Sequence, residues 1–175
     1  MATIHSGVVD DGAKLQILPS TRQITVPVSE SILGVEGDHR SAEITFQCPK
    51  VIDGHDVTKC ASHYISWANA IGRPGRYDIK EITVDDDNMY FKWVIDATVT
   101  EAAGDIYFSV HFMDLDDDGL VLYKWGTTSC TGLRVLPTTH HHTDDEDDDG
   151  LLYVDINDGS LANAVESAVR GVLYG

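Results

Sequence analysis

Asp114, Asp116, Asp118 and Gly119 spell D-x-D-x-D-G, the opening of an EF-hand calcium loop, in which alternate carboxylates converge on a hard cation and glycine permits the sharp turn. The rest of that loop is missing. Counting from Asp114, the twelfth position is Trp125 where a bidentate Glu is required, and the flanks read as strands. Asp145, Asp147, Asp149 and Gly150 repeat the half-motif, with Ile156 at the twelfth place. Both turns are therefore expected to be solvated acidic turns that attract calcium weakly at most. His140, His141 and His142 could hold a transition metal through imidazole nitrogen. Adjacent histidines outside a regular element are poorly organised ligands unless several copies meet at a symmetry axis. No cofactor is expected beyond such weak binding.

The remaining reactive side chains carry no catalytic pattern. His5, His39, His55, His63 and His111 show neither HExxH nor His-x-His spacing. Cys48, Cys60 and Cys130 contain no CxxC and read as reduced, mostly buried thiols. The closeness of Cys60 and His63 in sequence does not make them a nucleophile and base. GxSxG, GxxxxGK[ST] and GxGxxG after a strand are absent, so no catalytic residue is assigned and the chain is expected not to be an enzyme.

The elements that carry these residues read as strands. Met89, Phe91, Trp93 and Ile95 share one face of a period-two segment, and Tyr90, Lys92 and Asp96 the other. Ile106, Phe108, Val110 and Phe112 repeat the pattern, with Tyr107, Ser109 and His111 opposite. The intervening DATVTEAAGD is long enough to carry the chain to a second sheet. Asp116 to Gly119 mark a hairpin into LVLYKW. Further strands are expected at 22–28, 42–47, 64–69, 77–84 and 129–136, bounded by Gly, Pro or Asp. About eight strands with no helical pattern among them indicate an all-β fold, an antiparallel β-sandwich over residues 16–137 preceded by an N-terminal extension, 1–15. Trp67, Trp93 and Trp125 all fall on strands. They read as core residues, with an exposed platform for sugar as the alternative.

After Pro137 the composition changes. Residues 138–150 hold three histidines and six acidic residues without a large apolar side chain, and read as an acidic linker. Residues 151–175 add LLYVDI as a possible strand. A short amphipathic helix follows, with Ser160 as N-cap and Leu161, Val165, Ala168, Val169, Val172 and Leu173 as its apolar stripe, for docking or oligomerisation. Across all 175 residues, 12 Lys plus Arg against 29 Asp plus Glu give a formal net charge of −17, which argues against nucleic acid and anionic membranes as partners. No run approaches the roughly 18 apolar residues that span a bilayer, and the N-terminus lacks a signal-peptide pattern. Synthesis in the cytoplasm is expected, with export only as part of something larger.

The segments LPSTRQITVP (18–27), GVEGDHRSAEITFQCPK (34–50), ISWANAIGRPGRYDI (65–79), DNMYFKWVIDATVTEAAGDIYFSVHF (87–112) and YKWGTT (123–128) resemble small proteins from the structural gene modules of phages and prophages of gut Firmicutes. Some of these are similar to the N-terminal domain of phage baseplate upper proteins. Trp93, Gly104, the strand to Phe112, Gly119 and Trp125-Gly126-Thr127-Thr128 occupy the places of that family's run. Gly126 stands where the family has Asn, and the segment after Pro137 has no counterpart. The resemblance implies a virion component made in the bacterial cytoplasm: a tail, baseplate or fibre protein or a head decoration. It would act by self-association, as a homotrimer, and by contact with other virion proteins. A module that recognises a host-surface glycan, assisted by calcium, is the alternative.

Overall fold

The computed structural model describes residues 1–9 and 11–139. Fourteen strands run in chain order as β1 (Thr3–Ser6), β2 (Leu15–Leu18), β3 (Gln23–Thr25), β4 (Ile32–Val35), β5 (Ala42–Pro49), β6 (Val51–Ile52), β7 (His55–Asp56), β8 (Ser62–Ala68), β9 (Pro74–Asp78), β10 (Glu81–Val84), β11 (Asn88–Ile95), β12 (Gly104–Leu115), β13 (Val121–Gly126) and β14 (Cys130–Leu136). The only helical pieces among the described residues are 3₁₀ turns at Val28–Glu30 and Val57–Lys59. The fold is all-β. The expected helix with Leu161, Val165, Ala168, Val169, Val172 and Leu173 lies outside the described residues, as does the strand LLYVDI.

Two six-stranded sheets carry the fold. The first has the order β1-β10-β11-β5-β2-β3; the second has β4-β14-β12-β8-β9, with β13 also paired to β12, and β6 and β7 form a separate short hairpin. Both sheets are mixed, which corrects the antiparallel expectation. β1 runs parallel to β10, β2 parallel to β5 and β4 parallel to β14. The reason lies in short strands that periodicity could not reveal. β1 and β4 have four residues each and do not alternate cleanly between buried and exposed, and each completes an edge far from its sequence neighbours. Residues 1–15, read as an extension, supply β1 and the first residue of β2. The segment read as one strand at 77–84 is two strands in different sheets, β9 and β10, separated at Ile79 and Lys80.

The strong alternation is realised in full. Met89, Phe91, Trp93 and Ile95 of β11 and Ile106, Phe108, Val110 and Phe112 of β12 are all buried. They face one core: Phe46 and Trp93 on the first sheet meet Phe108 on the second at 6.1 and 5.8 Å between ring centroids, and Phe91 meets Phe112 edge-on at 6.3 Å. Trp67 and Trp125 are buried with Trp93, so the indoles belong to the core and form no exposed platform.

The segment between β11 and β12 crosses from one sheet to the other, as its length requires. It is fastened by buried Asn69. Its amide nitrogen donates to the Thr98 carbonyl (2.9 Å) and to Glu101 (3.0 Å), and its oxygen accepts from the backbone N–H groups of Ile71 and Arg73. One side chain thus closes the β8–β9 turn and pins the crossover above it.

Candidate functional site

The acidic hairpin comes first, because its residues carry the calcium motif. Asp116 Oδ1 accepts from the backbone N–H groups of Asp118 (2.9 Å) and Leu120 (2.8 Å), while Gly119, at φ 84°, donates to the Asp116 carbonyl at 3.0 Å. Asp114 Oδ1 accepts from the N–H of Leu115 at 3.2 Å. One oxygen of Asp116 therefore shapes the turn, as short polar side chains do where a chain reverses. The β10–β11 turn uses the same device. Asp85 of the run Asp85–Asp86–Asp87 accepts from the N–H groups of Asp87 and Asn88 and from the Tyr90 hydroxyl at 2.7 Å. The Tyr90 hydroxyl, with those backbone donors, holds the Asp85 carboxyl below its ordinary pKa. Among the described residues, no three carboxylate, imidazole or thiol side chains gather into a metal-binding group. His140, His141 and His142 lie outside the described residues.

Cys60 meets a histidine, though not the one nearest in sequence. Its Sγ is 3.9 Å from His55 Nε2, and the His55 ring stacks on Tyr123 at 3.8 Å. Burial pushes the Cys60 thiol up to about 11, assisted by Asp114 and Asp56. A thiol in that state is the protonated, unreactive form. His63 points away: its Nε2–H donates to the Val57 carbonyl at 2.7 Å, and burial lowers its pKa. The pair Cys60 and His55 packs the end of the core beneath β13 and is not an activated nucleophile.

Two surfaces remain that could bind something. The first is a cleft of about 630 Å³ against the outer face of the first sheet. Arg40, Lys80 and Lys92 line it together with Glu43, Thr45 and Tyr90. Glu43 and Thr45 come from β5 and Tyr90 and Lys92 from β11, while Arg40 lies just before β5 and Lys80 just before β10; Lys92 pairs in register with Thr45 and reaches Glu43 at 3.0 Å. The volume suits a small polar ligand, and the paired charges, Thr hydroxyls and a tyrosine are the donors and acceptors a sugar needs. Sequence reading singled out Tyr90 and Lys92 only as a solvent face. Their convergence with Arg40 and Lys80 depends on long-range pairing of β5 with β11.

The second surface is the edge of β13. Leu120, Val121 and Leu122 are 66, 56 and 67% exposed, three consecutive aliphatics at a hairpin tip. β13 pairs with β12 alone, and outside that ladder no backbone hydrogen bond reaches Val121–Trp125 among the described residues. On the adjoining outer face, His111 stacks on Tyr64 at 5.0 Å and bonds Ser109 at 2.8 Å. Opposite it in register stands Gly126, where a Cβ would come within 2.5 Å of His111 Nδ1. That crowding gives a local reason for glycine at this position. No family model matches the sequence, and no curated protein matches it.

Proposed function

We propose that this protein is a non-enzymatic structural or accessory protein of a phage virion, part of a tail, baseplate or fibre or a decoration of the head, acting through oligomerisation and contact with other virion proteins. The observation that carries this reading is the tip of the β12–β13 hairpin, a row of exposed aliphatics beside a strand that is paired on one side, which is the kind of surface that proteins cover with another protein. In this reading the two sheets are the layers of a β-sandwich. The rings of Phe46, Trp93, Phe91, Phe108 and Phe112, meeting from both sheets, support that packing. The net charge of −17 suits many copies crowded on one particle, since it discourages stray association and contact with packaged DNA. The test is mass spectrometry of purified particles from the bacterium that carries the gene. Peptides of this chain at stoichiometric abundance are expected, and their absence overturns the reading.

A second reading, recognition of a bacterial surface glycan, rests on the cleft with Arg40, Glu43, Lys80, Tyr90 and Lys92. With the tryptophans in the core, the polar residues of this cleft are the surface that supports this reading. Binding on a glycan array that is lost in Lys92→Ala is the expected result; no binding with or without calcium removes this reading.

A further inference from the structure

We propose that the cleft on the first sheet takes a saccharide bearing an anionic group, with Arg40 and Lys80 meeting the charge and the open backbone of β11 meeting the hydroxyls. The inference deepens the reading of this cleft as a glycan site, and rests on it.

The cleft exists because one strand leaves its neighbour early. β11 pairs with β5 along its whole length, Asn88 to Ile95, but meets β10 only where Met89 and Tyr90 stand opposite Val84 and Thr83. Glu81 and Ile82 of β10 have no partner on β11. The cause lies just upstream, where Ile79 and Lys80 carry the chain across from the second sheet. Buried Ile79 donates its N–H to the His63 carbonyl of β8 at 2.9 Å, and the Lys80 carbonyl accepts from Thr3 N–H of β1 at 2.8 Å. Held at that crossing, β10 diverges from β11, and residues of both strands line the cleft of about 630 Å³.

The same divergence leaves backbone groups unmatched. The Asp85 N–H donates to the Asn88 carbonyl at 3.0 Å, which sets the phase of the ladder: bonded positions on this side of β11 recur at every second residue, Asn88, Tyr90, Lys92 and Val94. Tyr90 finds Thr83. Lys92 and Val94 come after the last paired residue, and among the described residues no backbone hydrogen bond meets their N–H and C=O groups on that side. Both residues line the cleft. Two donors and two acceptors fixed on a strand suit the hydroxyls of a sugar, which donate and accept alike.

The charge of the ligand follows from the cations. Lys92 is held by Glu43 at 3.0 Å, and Glu81, also on the cleft, lies 3.9 Å from His5. Arg40 and Lys80 form no ion pair among the described residues, although acidic side chains outnumber basic ones by 20 to 11 over residues 1–138. A guanidinium and an ammonium on one cleft offer a planar fork and a point charge to a carboxylate or a phosphate. A neutral sugar would leave both without a counterpart. The net charge of −17 opposes an anion at long range, but at physiological salt that field is screened beyond about 8 Å, whereas the two cations act at contact.

The test is a glycan array that carries neutral, uronate-bearing and phosphate-bearing versions of each backbone, probed with the full chain and with Arg40→Gln and Lys80→Gln. Both side chains are exposed, so thermal unfolding of the variants should match the parent. An acidic version is expected to bind about tenfold more tightly than its neutral counterpart, and whichever of uronate and phosphate does so identifies the anion. Each Gln variant should lose most of that preference with neutral binding unchanged, and Lys80→Arg should keep it. Equal binding of neutral and acidic versions, or a preference that survives in both Gln variants, overturns the anionic assignment and leaves the cleft as a sugar site. Binding to no version removes the glycan reading and the inference with it.

Discussion

At the scale of single residues, the acidic runs are turn chemistry before they are anything else. In each of Asp85–Asp87 and Asp116–Asp118, the first aspartate receives two backbone N–H groups and sets the hairpin. Asp116→Ala should therefore destabilise the fold by about 1–2 kcal/mol, and Asp116→Asn, which keeps an acceptor oxygen, by less than half of that. Urea denaturation of the three proteins checks the order, and an Asn variant as weak as the Ala variant would refute the turn role. His63 gives the pH dependence. Burial lowers its pKa, so the fold keeps the imidazole neutral, whereas unfolding frees it to bind a proton. Its contribution is whole above the unfolded pKa of about 6.5 and declines as pH falls through that value toward the lowered folded one. Because acid also relieves repulsion among carboxylates, the readout is a difference. Between about pH 7.5 and 5, the parent should lose more stability than His63→Gln, and equal losses would show that His63 takes up its proton equally in the folded and unfolded states.

At the scale of elements, what the sequence revealed follows from how each strand is buried. β11 and β12 are half-buried over eight and twelve residues, so their alternation was legible, and the eight residues between them were long enough to carry a change of sheet. Short edge strands such as β1 and β4 have too few residues to show a period, and they join by parallel pairing that no local signal encodes. The Cys60–His55 contact and the cleft beside Lys92 were invisible for the same reason, since β6–β7 and the pairing of β5 with β11 bring together residues that no motif links. The hairpin of β12 and β13 was read correctly as an acidic turn, and within it Oδ1 of Asp116 accepts from the backbone N–H groups of Asp118 and Leu120, a role no motif announced. Asn69 is the device that holds the long crossover, and it too had no sequence signal. Asn69→Ala removes four hydrogen bonds from a buried site and leaves the Ile71 and Arg73 N–H groups without that partner. A loss of about 2–4 kcal/mol is expected in chemical denaturation, and Asn69→Asp should not rescue it, because a carboxylate cannot donate to the Thr98 carbonyl.

At the scale of the whole molecule, charge and compactness divide at the same place. Met1–Thr138 forms one compact unit that contains both sheets and their shared core. Nine of the 29 acidic residues and one of the 12 basic residues follow Thr138, so Met1–Thr138 carries 20 acidic and 11 basic side chains and close to half of the negative charge. Every buried ring among the described residues lies within this unit. A chain ending at Thr138 should therefore fold cooperatively by itself. In low salt it should unfold at or slightly above the midpoint of the full chain, because eight net negative charges have been removed from its surroundings. The difference should vanish in about 0.5 M salt, where the screening length shrinks to a few ångströms. Calorimetry of both chains at the two salt concentrations decides it. A truncated chain that melts lower in high salt would mean that residues 139–175 contribute packing to the fold, whereas a matched midpoint would assign them to contacts outside it.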